Sequence, residues 1–328
     1  MKPETGPEAG SGAGSYTAPW WLPGGHLQTI AAALAPAPRI SWSRERWETP
    51  DGDFIDLDWA ARANTAAPLL ALFHGLEGSS ASPYARAIAA QALALGWRCV
   101  VPHFRGCSGE LNRLPRAYHS GDSAEIGWIL ERLQARYAAR GVLYAVGISL
   151  GGNALLKLLG ERGDAMELHR AVAISAPLDL AAAGRALDAG LSREIYTRIF
   201  LRTLKRKTLA KLRQKKIAVD ARRLKKARTF WEFDDAVTAP LHGFQGADDY
   251  WTRSSSGPWL AKIRVPTLVI NARNDPFMPE SVLSSVSEQL QQMPSCVTLE
   301  FPRGGGHAGF PGRDRWLARR VLEFLCAP

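Results

Sequence analysis

Residues 141–160 read GVLYAVGISLGGNALLKLLG, and that stretch allows few local folds. A β-prone apolar run, 142–146, leads into Gly147-Ile148-Ser149-Leu150-Gly151. Ala154, Leu155, Leu158 and Leu159 then follow at helical spacing. A strand that becomes a helix within so few residues must bend sharply. Glycines two positions either side of Ser149 keep Cβ atoms out of the space where strand and helix pass. The plain alternative is a glycine-rich turn with an incidental serine. The flanking strand and helix patterns argue instead for a nucleophile elbow, which lifts the serine Oγ clear of a sheet edge.

The rest of the chain repeats the alternation. Apolar β-type runs at 69–74, 97–102, 171–175, 267–271 and 297–301 are interleaved with helical patterns at 82–95, 122–139, 281–291 and 315–325. Strands alternating with helices of this length predict an α/β fold with a mostly parallel central sheet and helices on both faces. Upstream, segments 40–49 and 54–59 flank Pro50-Asp51-Gly52, the signal of an antiparallel hairpin. Between Leu178 and Lys262 the strand rhythm stops, so 178–261 is expected to be a helical cap inserted into a core of 19–177 and 262–328. Residues 1–15 are mostly Gly, Pro, Ala, Glu and Ser, and residues 1–18 are expected to be a disordered tail.

Composition narrows the setting. The tail has no apolar stretch of the kind that directs secretion, and no apolar run is long enough to span a bilayer. Cys99, Cys107, Cys296 and Cys326 are scattered without a Cys-x-x-Cys pair. Free thiols in a reducing cytoplasm are expected, rather than disulfides or a zinc site. The net charge of +10 is concentrated in residues 198–228, where fourteen Lys and Arg face a single acid, Asp220. Basicity therefore belongs to one element of the cap and not to the fold.

A serine hydroxyl needs a base, usually histidine, which a carboxylate orients in turn. In an open α/β sheet these groups lie on loops at the carboxyl ends of strands. His307, in Gly304-Gly305-Gly306-His307, follows the run 297–301 and meets that requirement. His169 precedes a strand, His242 lies in the insertion, His26 in the N-terminal arm, and His119 just ahead of a helix. Asp275 follows 267–271 and completes the order Ser149…Asp275…His307. Asp275 before Pro276 is also a good turn initiator, and Asp248 and Asp249 are rival acids within the insertion. For a developing oxyanion the backbone N–H groups of Leu150 and of Leu76, in His74-Gly75-Leu76-Glu77-Gly78, are the candidates. His74 reads as a residue that shapes this loop.

Taken together, these residues resemble the α/β-hydrolases, and more narrowly the YheT-like branch related to the abhydrolase-domain lipid esterases. Further motifs carry the likeness across nearly everything after residue 18: Pro23-Gly24-Gly25-His26-Leu27-Gln28-Thr29, Phe104-Arg105-Gly106-Cys107-Ser108-Gly109, Gly152-Asn153 and Phe233-Asp234-Asp235. The resemblance implies an α/β-hydrolase fold and a serine esterase, with Ser149, Asp275 and His307 as nucleophile, acid and base. It implies short- or medium-chain acyl or lipid esters as substrates. The same acyl-enzyme could pass its acyl group to an alcohol, which would make the protein an acyltransferase. No metal or organic cofactor is implied. The rival class is a weakly active binding protein whose segment 198–228 contacts an anionic membrane or acyl-CoA. Nucleic acid is disfavoured, because no recognition motif accompanies the charge. The plain reading of that segment is a solvated face over an apolar stripe of Ile199, Phe200, Leu204, Leu209, Leu212 and Leu224.

Overall fold

The computed structural model describes residues 16–61, 66–138, 141–214 and 217–327. Residues 1–15 of the expected tail, and Lys215 and Lys216 of the basic run, lie outside them. The strands are β1 (Ser43–Glu48), β2 (Phe54–Ala60), β3 (Leu69–Phe73), β4 (Arg98–Pro102), β5 (Leu143–Ile148), β6 (Arg170–Ile174), β7 (Thr267–Ile270) and β8 (Val297–Glu300). They form one sheet in the order β1-β2-β4-β3-β5-β6-β7-β8. β1 and β2 are the expected hairpin. β2 also joins β4 antiparallel, and every pairing from β4 to β8 is parallel.

Alternation along the central strands divides the core into two layers. Leu69, Ala71 and Phe73 of β3 face the helices Ser123–Tyr137, Leu150–Arg162 and Glu280–Gln291. Leu70 and Leu72 face the helices Pro83–Ala94 and Trp316–Cys326. Both sets are fully buried, and each such leucine contributes about 1.5–3 kcal/mol relative to exposure. That two-sided burial is why the parallel strands read as unbroken apolar runs.

The chain order places the site. From β3 the chain crosses to β4 on one side, and β5 then pairs with β3 on the other. The loops that leave β3 and β5 therefore diverge and open a crevice at their carboxyl ends. Between β6 and β7 the chain forms the helices Leu180–Leu187, Arg198–Gln214, Ala221–Lys226, Phe230–Phe233 and Ala247–Ser254. These carry apolar clusters of their own. One is built on Leu201, Leu224, Phe233 and Val237, the other on Leu180, Phe230, Tyr250 and Trp251, with Leu76 of the core against it.

Two features have no counterpart in the sequence reading. A helix, Gly25–Ala33, lies across the end of the sheet near β7 and β8. Tyr16, within the segment read as tail, is buried against Phe310 and Trp316, and its hydroxyl donates to Pro311 O at 2.8 Å.

Candidate active site

At the end of β5, Ser149 has φ 51° and ψ −117°, a strained conformation for a residue with a side chain. Its N–H donates to Ile174 O of β6 at 2.8 Å, and its carbonyl accepts from Asn153 N at 2.9 Å. The bend is thus tied to the next strand and to its own helix. A Cβ on Gly151 would stand 2.6 Å from Phe73 O, so the helix could not approach β3 this closely with any larger residue.

The loops after β7 and β8 bring Asp275 and His307 to this serine. His307 Nε2 lies 2.9 Å from Ser149 Oγ, and His307 Nδ1 lies 2.9 Å from Asp275 Oδ2 and 3.1 Å from Oδ1. A carboxylate at Nδ1 favours the tautomer with its proton there, leaving the Nε2 lone pair towards the hydroxyl. The Asp275 side chain is wholly buried and takes a further hydrogen bond from Phe277 N at 2.8 Å. The Phe277 ring stacks on the imidazole with centroids 3.9 Å apart. Asp248 and Asp249 are occupied elsewhere: Asp248 accepts from Trp231 Nε1, and Asp249 from Gln245 N and Arg253.

The helix Gly25–Ala33 holds both loops. Gln28 Oε1 accepts from Gly305 N at 2.7 Å and from Asn274 Nδ2 at 2.9 Å, while Thr29 Oγ1 accepts from His307 N at 2.8 Å. Asn274 Oδ1 accepts from Gly306 N at 3.0 Å and joins the β7 loop to the β8 loop. A Cβ on Gly25 would lie 1.8 Å from Asn274 O, so the helix can start there only with glycine. The motif containing Gly25, Gln28 and Thr29 carried the family likeness, but nothing in its composition announced this positioning role.

The loop after β3 lies beside the serine: a Cβ on Gly75 would be 3.2 Å from Ser149 Cβ. Gly75 N donates to Tyr84 Oη and Glu77 N to Tyr118 Oη, whereas the N–H of Leu76 donates to nothing among the described residues. Leu150 begins its helix, so its N–H also lacks an intrahelical acceptor. Two unclaimed donors thus lie on the residue after Ser149 and on the loop beside it. His74 is fully buried, with Nδ1 2.8 Å from Gly75 O and Nε2 accepting from Phe104 N at 3.1 Å. Burial pushes its pKa down to about 3. One ring nitrogen serves this loop and the other the loop after β4.

Above the serine is a cavity of about 940 Å³. Leu76, Tyr84 and Ile30 line it from the core, and Phe200, Leu204 and Val237 from the insertion. The apolar stripe divides between this cavity and the insertion's own cluster, with Ile199 lining the cavity while largely exposed. The fourteen cations do not all face water. Lys207 reaches inwards to Glu77 Oε1 at 2.8 Å, and Lys211 is buried with Nζ 2.7 Å from Arg116 O and 3.0 Å from Leu114 O. Lys205 Nζ donates to Lys225 O at 3.1 Å. These lysines satisfy an acid, two half-buried loop carbonyls and a carbonyl in the last turn of a helix, partners that charge alone could not locate. His119 and His242 meet across the core–insertion boundary with ring centroids 4.5 Å apart, and burial pushes His242 down to about 3. His26 stacks on Tyr196.

A family model described as the alpha/beta hydrolase fold matches residues 68–314. YheT of Escherichia coli K12, provisionally called an esterase, is 40% identical over 310 residues, covering 92% of this chain and 89% of that one. The human phospholipase ABHD3 is 29% identical over 325 residues, covering 95% of this chain and 78% of its own. Among solved structures, an esterase of Pyrococcus furiosus superposes with a TM-score of 0.60 at 16% identity, covering 87% of this chain and 91% of that one, a likeness of fold.

Proposed function

The chain belongs to the alpha/beta hydrolase fold family, in the branch of YheT, and from that premise we propose that it is a serine esterase cleaving acyl esters through an acyl-enzyme on Ser149. The observation that carries this reading is the 2.9 Å approach of His307 Nε2 to Ser149 Oγ at the floor of the cavity. Ser149 Oγ attacks the ester carbonyl as its proton passes to His307 Nε2, and Asp275 balances the imidazolium. The N–H groups of Leu76 and Leu150 hold the oxyanion. Collapse of the tetrahedral intermediate expels the alcohol, which leaves with the proton from His307. His307 then takes a proton from water, the hydroxide attacks the acyl carbonyl, and the carboxylic acid departs from a restored serine.

An apolar cavity of about 940 Å³ has room for a medium-length acyl chain, which supports lipid or medium-chain esters as substrates. The name of the human relative, a phospholipase, points the same way. Labelling with a fluorophosphonate and turnover of p-nitrophenyl octanoate test the reading together. Ser149→Ala is expected to abolish labelling and cut turnover by roughly 10⁴-fold or more, with folding intact. Asp275→Asn should also be severe, whereas Asp248→Asn should stay close to wild type. A Ser149→Ala protein that kept most of its activity would remove the serine-hydrolase reading.

A further inference from the structure

The helix Gly25–Ala33 is built inside out. It buries its polar side chains, Gln28 at 3% and Thr29 at 8% exposure, against the loops of Asp275 and His307. Its apolar side chains face the opposite way. Leu27 is 49% exposed and Leu34, two turns on, is 78% exposed, with half-exposed Ile30 and Ala31 between them on the same stripe. The segment that leads into the helix adds Trp20 at 91% and Trp21 at 63% exposure.

The patch extends onto the insertion. His26 stacks on Tyr196, its Nδ1 3.2 Å from the Tyr196 hydroxyl. One turn beyond Tyr196 is Ile199, 62% exposed. Ile30, Leu34 and Ile199 also line the cavity above Ser149, so the patch reaches its mouth. Cations border it. Arg198, Arg202 and Arg206 recur every fourth residue on the exposed side of the helix Arg198–Gln214, and exposed Arg313 and Arg315 line the cavity from the other side. Among the described residues, Arg202, Arg206, Arg313 and Arg315 have no ion-pair partner.

We propose that this patch docks on the surface of an anionic lipid bilayer, with Trp20, Trp21, Leu27 and Leu34 entering the interface and the arginines meeting lipid phosphates. Tryptophan suits a boundary that is apolar on one side and wet on the other. Residues 1–15 contain no Val, Leu, Ile, Phe, Trp or Tyr, and Met1 is their one large apolar side chain, too little to cover the patch. A second copy seated face to face would oppose arginine to arginine, and a bound protein would close the cavity mouth. A bilayer does neither, and delivers acyl chains to that mouth. Delivery rests on the esterase reading, but docking does not.

The test uses the full chain carrying Ser149→Ala, so that docking is read without catalysis. Binding is measured by flotation with vesicles of phosphatidylcholine alone or with about 30% phosphatidylglycerol, and insertion by quenching of tryptophan with brominated lipid. Tighter binding to the anionic vesicles, weakening with salt, is expected. Trp20→Ser/Trp21→Ser/Leu27→Ser should lose the quenching and about tenfold or more in binding to either vesicle. Arg202→Glu/Arg206→Glu should lose about tenfold or more on anionic vesicles only, since each cation near such a surface is worth roughly fivefold. In a Ser149 background, both sets should turn over p-nitrophenyl acetate at the wild-type rate, which separates docking from the esterase reading. Equal vesicle binding by all three proteins overturns the proposal. So does a concentration-dependent dimer in sedimentation velocity that the Trp20→Ser/Trp21→Ser/Leu27→Ser variant loses, without vesicle binding.

Discussion

His74 carries a proton-accepting ring into a place where it cannot be charged without loss. One nitrogen pairs with Gly75 O and the other accepts from Phe104 N. Its pKa in the fold, about 3, lies below the roughly 6.5 expected of an unfolded chain. The unfolded state therefore binds the proton first as pH falls. Stability is complete above about pH 6.5 and declines as pH drops towards 3. At pH 4.5 the loss from this residue is about 2–3 kcal/mol, at 1.36 kcal/mol per pH unit. Asp234 acts with the opposite sign: burial lifts its carboxyl to about 7, so it favours the fold towards acid. Urea unfolding at pH 7 and 4.5 should separate them, with His74→Gln losing about 2–3 kcal/mol less than wild type across that interval. An equal loss in both proteins would mean that His74 is hydrated or charged in the fold. At this scale the sequence was legible where turn residues follow a strand. Ser149, Asp275 and His307 each sit at such a place, and the structure brings them within hydrogen-bonding distance of one another. Gln28 and Thr29 do not, because a side chain that acts through backbone amides more than 270 residues away leaves no local pattern.

The element with the least visible signature is the helix Gly25–Ala33. Reading a helix from sequence assumes that its apolar stripe is the buried one, and here the buried face is polar. The strands from β3 to β7 were legible within two residues for the complementary reason, since each is a buried run stopped by a turn, and β8, a half-buried edge strand, was legible from its β-type residues and the turn after it. The insertion was legible only as an interruption. Its inward lysines contradict the habit of sending cations to water, because Glu77 and the carbonyls of Leu114 and Arg116 wait for them. The supporting role of the first helix gives a direct expectation. Gln28→Ala leaves the buried Gly305 N–H without an acceptor, costing about 1–3 kcal/mol. It also frees the two loops that carry Asp275 and His307. Turnover of a soluble ester should fall by about 10–100-fold, mainly in kcat, with fluorophosphonate labelling slowed to match. Loss of stability with unchanged kcat would show that the helix supports the fold without positioning the site.

Across the whole molecule, core and insertion share buried polar contacts as well as apolar clusters. Asn153, fully buried on the elbow helix, donates to Ser120 O at 2.9 Å and Ser254 O at 2.7 Å, and accepts from Ser256 N at 3.0 Å. Asn153→Ala strands all of these partners and should cost on the order of 3 kcal/mol or more. Because Asn153 binds both the loop before the helix Ser123–Tyr137 and the end of the insertion, wild-type unfolding should be a single transition. Tryptophan fluorescence and far-ultraviolet circular dichroism would then coincide, and a separate early fluorescence transition in the wild type would refute that coupling. The hydrogen bonds from Gln28 and Thr29 to Gly305 and His307 join positions 277 and 278 residues apart, and the serine waits for a histidine 158 residues downstream. On the ribosome, then, the elbow can fold long before the chain that completes it has been made. On the proposed mechanism the serine stays unactivated in the nascent chain until the segment bearing His307, 158 residues later, has emerged.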